Sequence, residues 1–434
     1  MMRSKNIILI ILVVFFFIAD ILLLFRYASW DSGVDELLPF LGFTLIAEAA
    51  IVYSIYIYEQ LINPFTIYSI FIYTAGFSFI KISSKQASYD AGFVLIVLLS
   101  IVCFLVGGLI ASKTFPFSFK NVLKRLTPGL SFAFLVLVLI IGMSVFVMEI
   151  RQLGYLPVLN LGNTAVYNDL NENEVTPLHN FIVLNSVLPA MFYINYKKGH
   201  ISFLLFLVLA FVSGFIILNF FSRQIIILFF FSMLIAVNYY RSIPVMRLMV
   251  IGAVTLVLFI VIGQLRNSSD DDDKSASVND FLKEYNQVTK PTNLLETYLS
   301  LYGGVNFSTA DKIIEEAVHD GYYGFGVYSA RPAITVMPVN KDVVYPATYS
   351  SYTQLGTYVT DPFLDFRWAG VVLLNLLYGY LSMNSFKNYL NRKSEYYIVE
   401  WSLFIFCIFM CSFTNFFHMF FIVFFFIINR IAIK

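Results

Sequence analysis

Ile7-Ile-Leu-Ile-Ile-Leu-Val-Val-Phe-Phe-Phe-Ile-Ala-Asp-Ile-Leu-Leu-Leu-Phe25 decides the fold class. As a helix this run is about as long as a bilayer's hydrocarbon core is thick, and it follows the basic Met1-Met-Arg-Ser-Lys. No small-residue cleavage site closes it, so it reads as an uncleaved first span whose positive flank keeps the N-terminus inside. Similar runs recur at about 37–58, 64–82, 91–112, 128–150, 177–196, 201–219, 222–240, 246–264, 364–385, 397–412 and 415–430, about twelve spans in all. A chain of 434 residues that is 59% hydrophobic and 13% charged excludes a soluble fold. It reads as an all-α polytopic integral membrane protein. The net charge of +1 names no acidic partner, and nucleic acid is not implied. Cys103, Cys407 and Cys411 all fall inside apolar runs, with no disulfide or zinc spacing.

The basic residues test the span count. Lys113, Lys120, Lys124 and Arg125, then Lys197 and Lys198, then Arg241 and Arg247, then Lys387, Arg392 and Lys393 all fall in loops that the count places inside. Arg430 and Lys434 favour two closing spans, which return the C-terminus inside. The predicted organisation is therefore nine spans over 1–265, one large external loop over 266–362 and three spans over 363–434. Arg151–Thr176, the turn around Ser222-Arg223-Gln224 and the break at Ser412-Phe-Thr-Asn415 fall outside as well. No internal repeat is visible, which counts against the duplicated halves of many transporters.

The large loop is the one polar interval long enough to fold. Pro291-Thr-Asn-Leu-Leu-Glu-Thr-Tyr-Leu-Ser-Leu predicts a short helix opened by proline, and Ser308-Thr-Ala-Asp311 resembles a capping box opening a second one. Gly321-Tyr-Tyr-Gly-Phe-Gly326 has the glycine density of a sharply turned segment, without a phosphate-loop pattern. Arg223, Arg266, Arg331 and Arg367 stand at the predicted water edge, where a planar guanidinium suits paired phosphate oxygens. Arg223 and Arg367 flank spans and equally fit snorkelling to head groups, whereas Arg331, before Pro332 in the loop, does not. Asp361 and Asp365 fit either proton transfer or the positive start of a helix. His179 and His418 lie at span edges and read as structural. Asp270-Asp-Asp-Asp-Lys274 reads as a solvated acidic tract, so no metal is called for. Glu48, with Asp20, lies within a span, where an ionisable group is either functional or neutralised by a partner.

The Ser-Arg turn of Phe221-Ser-Arg-Gln-Ile-Ile-Ile, the large loop with its Gly-Tyr-Tyr-Gly-Phe-Gly, and Tyr358-x6-Asp365-Phe366-x3-Gly370 followed by Leu377-Tyr-Gly-Tyr-Leu-Ser together resemble the Wzy-type polymerases of bacterial surface polysaccharides. These are also called oligosaccharide repeat unit polymerases. The position after Asp-Phe, usually Gly in that family, is Arg367 here. The resemblance implies a GT-C-like helical fold in the bacterial cytoplasmic (inner) membrane and no cofactor. It also implies transfer of a growing glycan from undecaprenyl diphosphate onto a new lipid-linked repeat unit to build O-antigen, capsule or exopolysaccharide. A chain-length regulator and a flippase are the implied partners. In that reading Arg223, Arg266, Arg331, Arg367 and Tyr358 bind substrate, and Asp361 or Asp365 is the base. His319, the loop's only histidine, is the alternative base and fits the rival reading of an O-antigen ligase, whose related members use a histidine so placed. The rival from another class is a polysaccharide or lipid transporter, with Asp20 and Glu48 as its support.

Overall fold

Short helix-opening signals fix where the third and fourth expected spans begin. Asn63 accepts hydrogen bonds from the Phe65 and Thr66 amides (both 3.0 Å) and precedes Pro64, so the helix Pro64–Phe77 opens there. Asp90 likewise caps Ala91–Lys113, through the Gly92 amide. A computed structural model describes residues 2–28, 33–84, 86, 88–114, 128–160, 178–220, 222–244, 247, 250, 252, 287–299, 303–337, 356–392 and 394–433. All regular structure among them is helical.

Five helices are long and apolar enough to cross a membrane: Val34–Tyr58, Ala91–Lys113, Leu130–Leu153, Arg223–Tyr240 and Thr360–Leu390. Pro64–Phe77, Phe203–Leu218, Tyr396–Ser412 and Phe420–Ala432 are apolar but shorter, and the first expected span lies in the helix Met2–Ala28. Three expected spans differ in form. The 177–196 interval is a helix His179–Val183, a 3₁₀ turn Leu184–Ser186 and a second helix Leu188–Lys197. Pro189 explains the restart, because it has no amide to donate and is tolerated only in a helix's first turn. The 64–82 run stops being helical at Phe77, and the last helix starts only at Phe420 because 413–419 forms a folded link. The 246–264 interval lies outside the described residues apart from Arg247, Val250 and Gly252.

The chain divides into two compact units. The first comprises Met1–Phe115, Asn279–Asn384 and Cys407–His418, so the described part of the large loop packs with the early spans rather than standing alone. Its helices Ala91–Lys113 and Thr360–Leu390 cross where a methyl on Gly107 would lie 2.1 Å from the Leu376 carbonyl oxygen, and one on Gly379 2.0 Å from that of Phe104. Backbones touch there because neither glycine carries a side chain, the usual device of helix pairs in lipid.

Loop contacts within this unit agree with the alternation of spans. Arg26, at the end of the first helix, pairs with Glu296 (3.2 Å), and Lys290 pairs with Glu36 (3.6 Å). The Thr289 amide donates to Ile82 O (2.9 Å), and Asn306 Nδ2 donates to Ser412 O (3.1 Å). Arg26, Glu36, Ile82 and Ser412 thus each meet the described part of the large loop within this unit.

In the loop itself the capping box is not at Ser308. The helix Val305–His319 opens six residues before the expected Asp311 start and buries Ser308, Thr309 and Asp311. The reciprocal cap belongs instead to Leu294–Leu299: Asn293 accepts from the Glu296 amide and Glu296 accepts from the Asn293 amide, both at 2.9 Å.

The second unit is Pro116–Val278, Ser385–Phe406 and Met419–Lys434. Glu149, buried, accepts from His179 Nδ1 at 3.1 Å, and Ser232 Oγ donates to Ser186 O at 2.8 Å. At its other end Lys198 pairs with Glu395 (3.2 Å), and the Arg392 guanidinium lies 5.4 Å from the Tyr239 ring centre. The intervals predicted inside therefore meet within this unit.

Candidate functional site

The helical stretch Thr360–Leu390 is broken at Phe366 (φ −138°, ψ 16°) and Arg367 (φ 53°, ψ −137°). A methyl at Gly370 would lie 2.0 Å from the Pro362 carbonyl oxygen, so the turn carrying Asp361 and Asp365 folds back onto the helix that follows. Irregular backbone beside an apolar helix survives only where protein satisfies it or where it lines a wet cavity. Here the loop after Val305–His319 satisfies part of it: the Gly324 and Phe325 amides donate to Leu364 O (2.8 Å) and Asp365 O (3.1 Å).

Asp365 is fully buried and spends its carboxylate on that loop. Oδ1 accepts from the Tyr328 amide (2.9 Å), and Oδ2 accepts from the Ser329 amide (2.6 Å) and Ser329 Oγ (2.5 Å). Three donors on one carboxylate make it a clamp. Two residues beyond the clamped Ser329, Arg331 opens the helix Arg331–Val336, with its guanidinium 6.0 Å from the Tyr328 ring centre.

Asp361 is the opposite case. Its Oδ2 is buried and makes no hydrogen bond with the described residues, and His418 Nε2 lies 3.5 Å from it. Neither ring nitrogen of buried His418 makes a well-formed hydrogen bond, and the Tyr328 backbone approaches it loosely. Arg331 acts electrostatically on both Asp361 and His418. His418 is positioned by the 413–419 link, where Asn415 Nδ2 donates to Tyr358 O and Tyr378 OH (3.3 Å each) and Phe417 stacks on Tyr378 at 4.3 Å. Each buried polar atom left unpaired costs about 1–3 kcal/mol. A carboxylate oxygen and an imidazole in that state side by side, next to an arginine, describe a place prepared for a polar ligand.

The other expected residues fall elsewhere. Tyr358 is fully buried: its hydroxyl is 2.6 Å from that of Tyr68, and its ring packs edge-on against Phe71 at 4.9 Å, a core position rather than a binding surface. Arg367 donates through Nη2 to Ala317 O (2.9 Å) and Tyr322 O, closing the end of the Val305–His319 helix. His319, its side chain 87% exposed, pairs with Asp320 at 3.2 Å. Arg223 opens the helix Arg223–Tyr240 in the second unit. Arg266 and the Asp270–Lys274 tract lie outside the described residues.

The structure thus brings Arg331, Asp361 and Asp365 together with His418, which had read as structural. The only signal for His418 was its place just after the polar break at Ser412–Asn415, and periodicity gives no reason to prefer it. Among the described residues no cluster of three or more His, Cys, Asp or Glu is arranged to hold a metal. The chain matches no protein-family model, no curated protein and no solved structure.

Proposed function

We propose that the chain is a membrane glycosyltransferase that polymerises lipid-diphosphate-linked oligosaccharide repeat units, with its reaction centre at Asp361, His418 and Arg331. The observation that carries this is the buried Asp361 oxygen that makes no hydrogen bond among the described residues, 3.5 Å from His418 and within the field of Arg331, at the folded-back start of a long apolar helix. In this reading Asp361 takes the proton of an acceptor-sugar hydroxyl as its oxygen bonds to the anomeric carbon of the growing chain. The bond from that carbon to the carrier breaks, and its electron pair leaves with the diphosphate. A positioned base of this kind contributes roughly 10²–10⁴-fold. The leaving diphosphate is already a stable anion and needs charge neutralisation more than a proton, which is the role given to Arg331. Asp365 acts through the Tyr328–Ser329 backbone to hold Arg331 in place. Undecaprenyl diphosphate as carrier, the outer face of the bacterial cytoplasmic membrane and a chain-length regulator as partner belong to the same proposal.

The test is chain growth from defined lipid-linked repeat units in proteoliposomes at matched protein levels. Asp361→Asn is expected to lose at least about a hundredfold in rate, and Arg331→Ala a similar factor, with Arg331→Lys only partly restoring it. Normal polymer from both Asp361→Asn and Arg331→Ala would remove the centre proposed here. Loss of chain growth in His319→Ala, with Asp361→Asn and Asp365→Asn both intact, would make the histidine the base in place of the aspartates.

A further inference from the structure

Phe325 carries two costs at once. It stands at φ 50°, a left-handed backbone that costs a side-chain-bearing residue about 1–2 kcal/mol, and it is 80% exposed. Among the described residues no large apolar side chain is more exposed. Tyr323 lies beside it, its ring 4.3 Å away and tilted 46°. The backbone beneath the two rings is fixed at both ends. In addition to the bonds to Leu364 and Asp365, the Val327 amide donates to Gly324 O (3.1 Å) and the Ala330 amide to Gly326 O (2.8 Å). A frame this well bonded loses little freedom when a ligand lands on it.

The chain that leads to the rings exposes more acidic groups than basic ones. The helix that leads into the loop exposes Glu315, Glu316 and His319 together with Lys312 and Val318, and Asp320 follows with half of its side chain exposed. A loop inserted among lipid chains would have to desolvate these groups, and an anionic head-group surface would repel the carboxylates. A hydroxyl-rich ring fits the same surface: its C–H face covers an aromatic ring while its hydroxyls donate to the carboxylates and meet the imidazole.

We propose that Tyr323 and Phe325, with the exposed His319 and Asp320 that precede them in the chain, form a saccharide-binding platform for the sugar portion of the substrate. The proposal rests on the glycan-transferring reading above and gives the exposed His319 a binding role in place of a catalytic one.

The experiment uses the full chain in lipid nanodiscs and, as probe, soluble repeat-unit oligosaccharides cut from the host's surface polysaccharide, which carry no lipid or diphosphate. The Tyr323→Ala/Phe325→Ala double variant is expected to bind them about tenfold more weakly than wild type, and Asp320→Asn several-fold more weakly. Unchanged affinity in the double variant, or no binding by wild type at millimolar concentration, overturns the platform. A spin label at Phe325→Cys, specific because the three native cysteines are buried, decides against the bilayer. Relaxation by a water-soluble nickel chelate supports the platform, and relaxation dominated by membrane-dissolved oxygen overturns it in favour of a lipid anchor. Weakened saccharide binding without any chain growth in wild type would keep the platform and reject the polymerase. Chain growth with unaltered binding in the double variant would do the reverse.

Discussion

Arg367 occupies the backbone conformation that glycine adopts freely, and a side chain there costs about 1–3 kcal/mol. Its Nη2 offsets that cost by bonding the Ala317 and Tyr322 carbonyls at the end of a helix. The two substitutions that remove the guanidinium should therefore differ. Arg367→Gly loses the bonds and relieves the backbone, whereas Arg367→Ala loses the bonds and keeps the strain. We expect the alanine variant to be less stable than the glycine variant by about 1 kcal/mol in thermal unfolding, and the opposite order would contradict this account. The family resemblance expected glycine at this position, and the geometry explains why either residue can serve. Asp311 gives a second prediction at this scale. Burial pushes its carboxyl up to about 6, while a hydrogen bond from the Asp90 backbone holds it partly down. A folded-state value above the unfolded one means that the folded chain binds the extra proton. The destabilisation is thus absent below about pH 4, grows with rising pH and is complete above about pH 6. Asp311→Asn should accordingly raise the thermal midpoint at pH 8 by an amount equivalent to about 1 kcal/mol and bring no gain near pH 4.

Among the elements, the crossing of Ala91–Lys113 and Thr360–Leu390 holds the broken helix against the early spans, and it tolerates nothing larger than hydrogen at Gly107 and Gly379. Gly379→Leu should abolish folded, detergent-extractable protein, because both facing atoms are backbone and cannot move aside. Gly42, where an added methyl would meet no atom within 4 Å, is the control: Gly42→Leu should express and extract as wild type. A folded Gly379→Leu protein with intact chain growth would show that the crossing is not what positions Asp361. The loop 321–330 depends on a different element-scale device, the Asp365 clamp. Its partners are two backbone amides and a hydroxyl some 36 residues earlier in the chain, so no sequence pattern marks it.

At the scale of the whole molecule, the alternation of spans predicts that the large loop faces outside and the 197–200 turn inside. A membrane-impermeant thiol reagent applied to intact cells should label Asp320→Cys and leave His200→Cys unlabelled until the cells are opened. The reverse pattern would invert the topology and remove the lipid-linked substrate from reach. The sequence by itself determined what depends on local composition: the helical class and the apolar character of the long helices, while the loops it predicted on one side meet in Arg26 with Glu296 and Lys198 with Glu395. Hydropathy and charge suffice for these, since lipid forces backbone bonding inside each segment. It also offered Arg331, Asp361 and Asp365 as candidates, with the same weight as Arg223, Arg266, Arg367, Tyr358 and His319. Only the tertiary structure decided their roles. Asp361 and Asp365 are four residues apart on one turn, yet one carboxylate is saturated by a distant loop and the other faces His418. Tyr358, equally prominent in the sequence, is core because Tyr68 and Phe71 close over it. Such assignments depend on which partners long-range folding brings within hydrogen-bonding reach, and neither periodicity nor spacing encodes that.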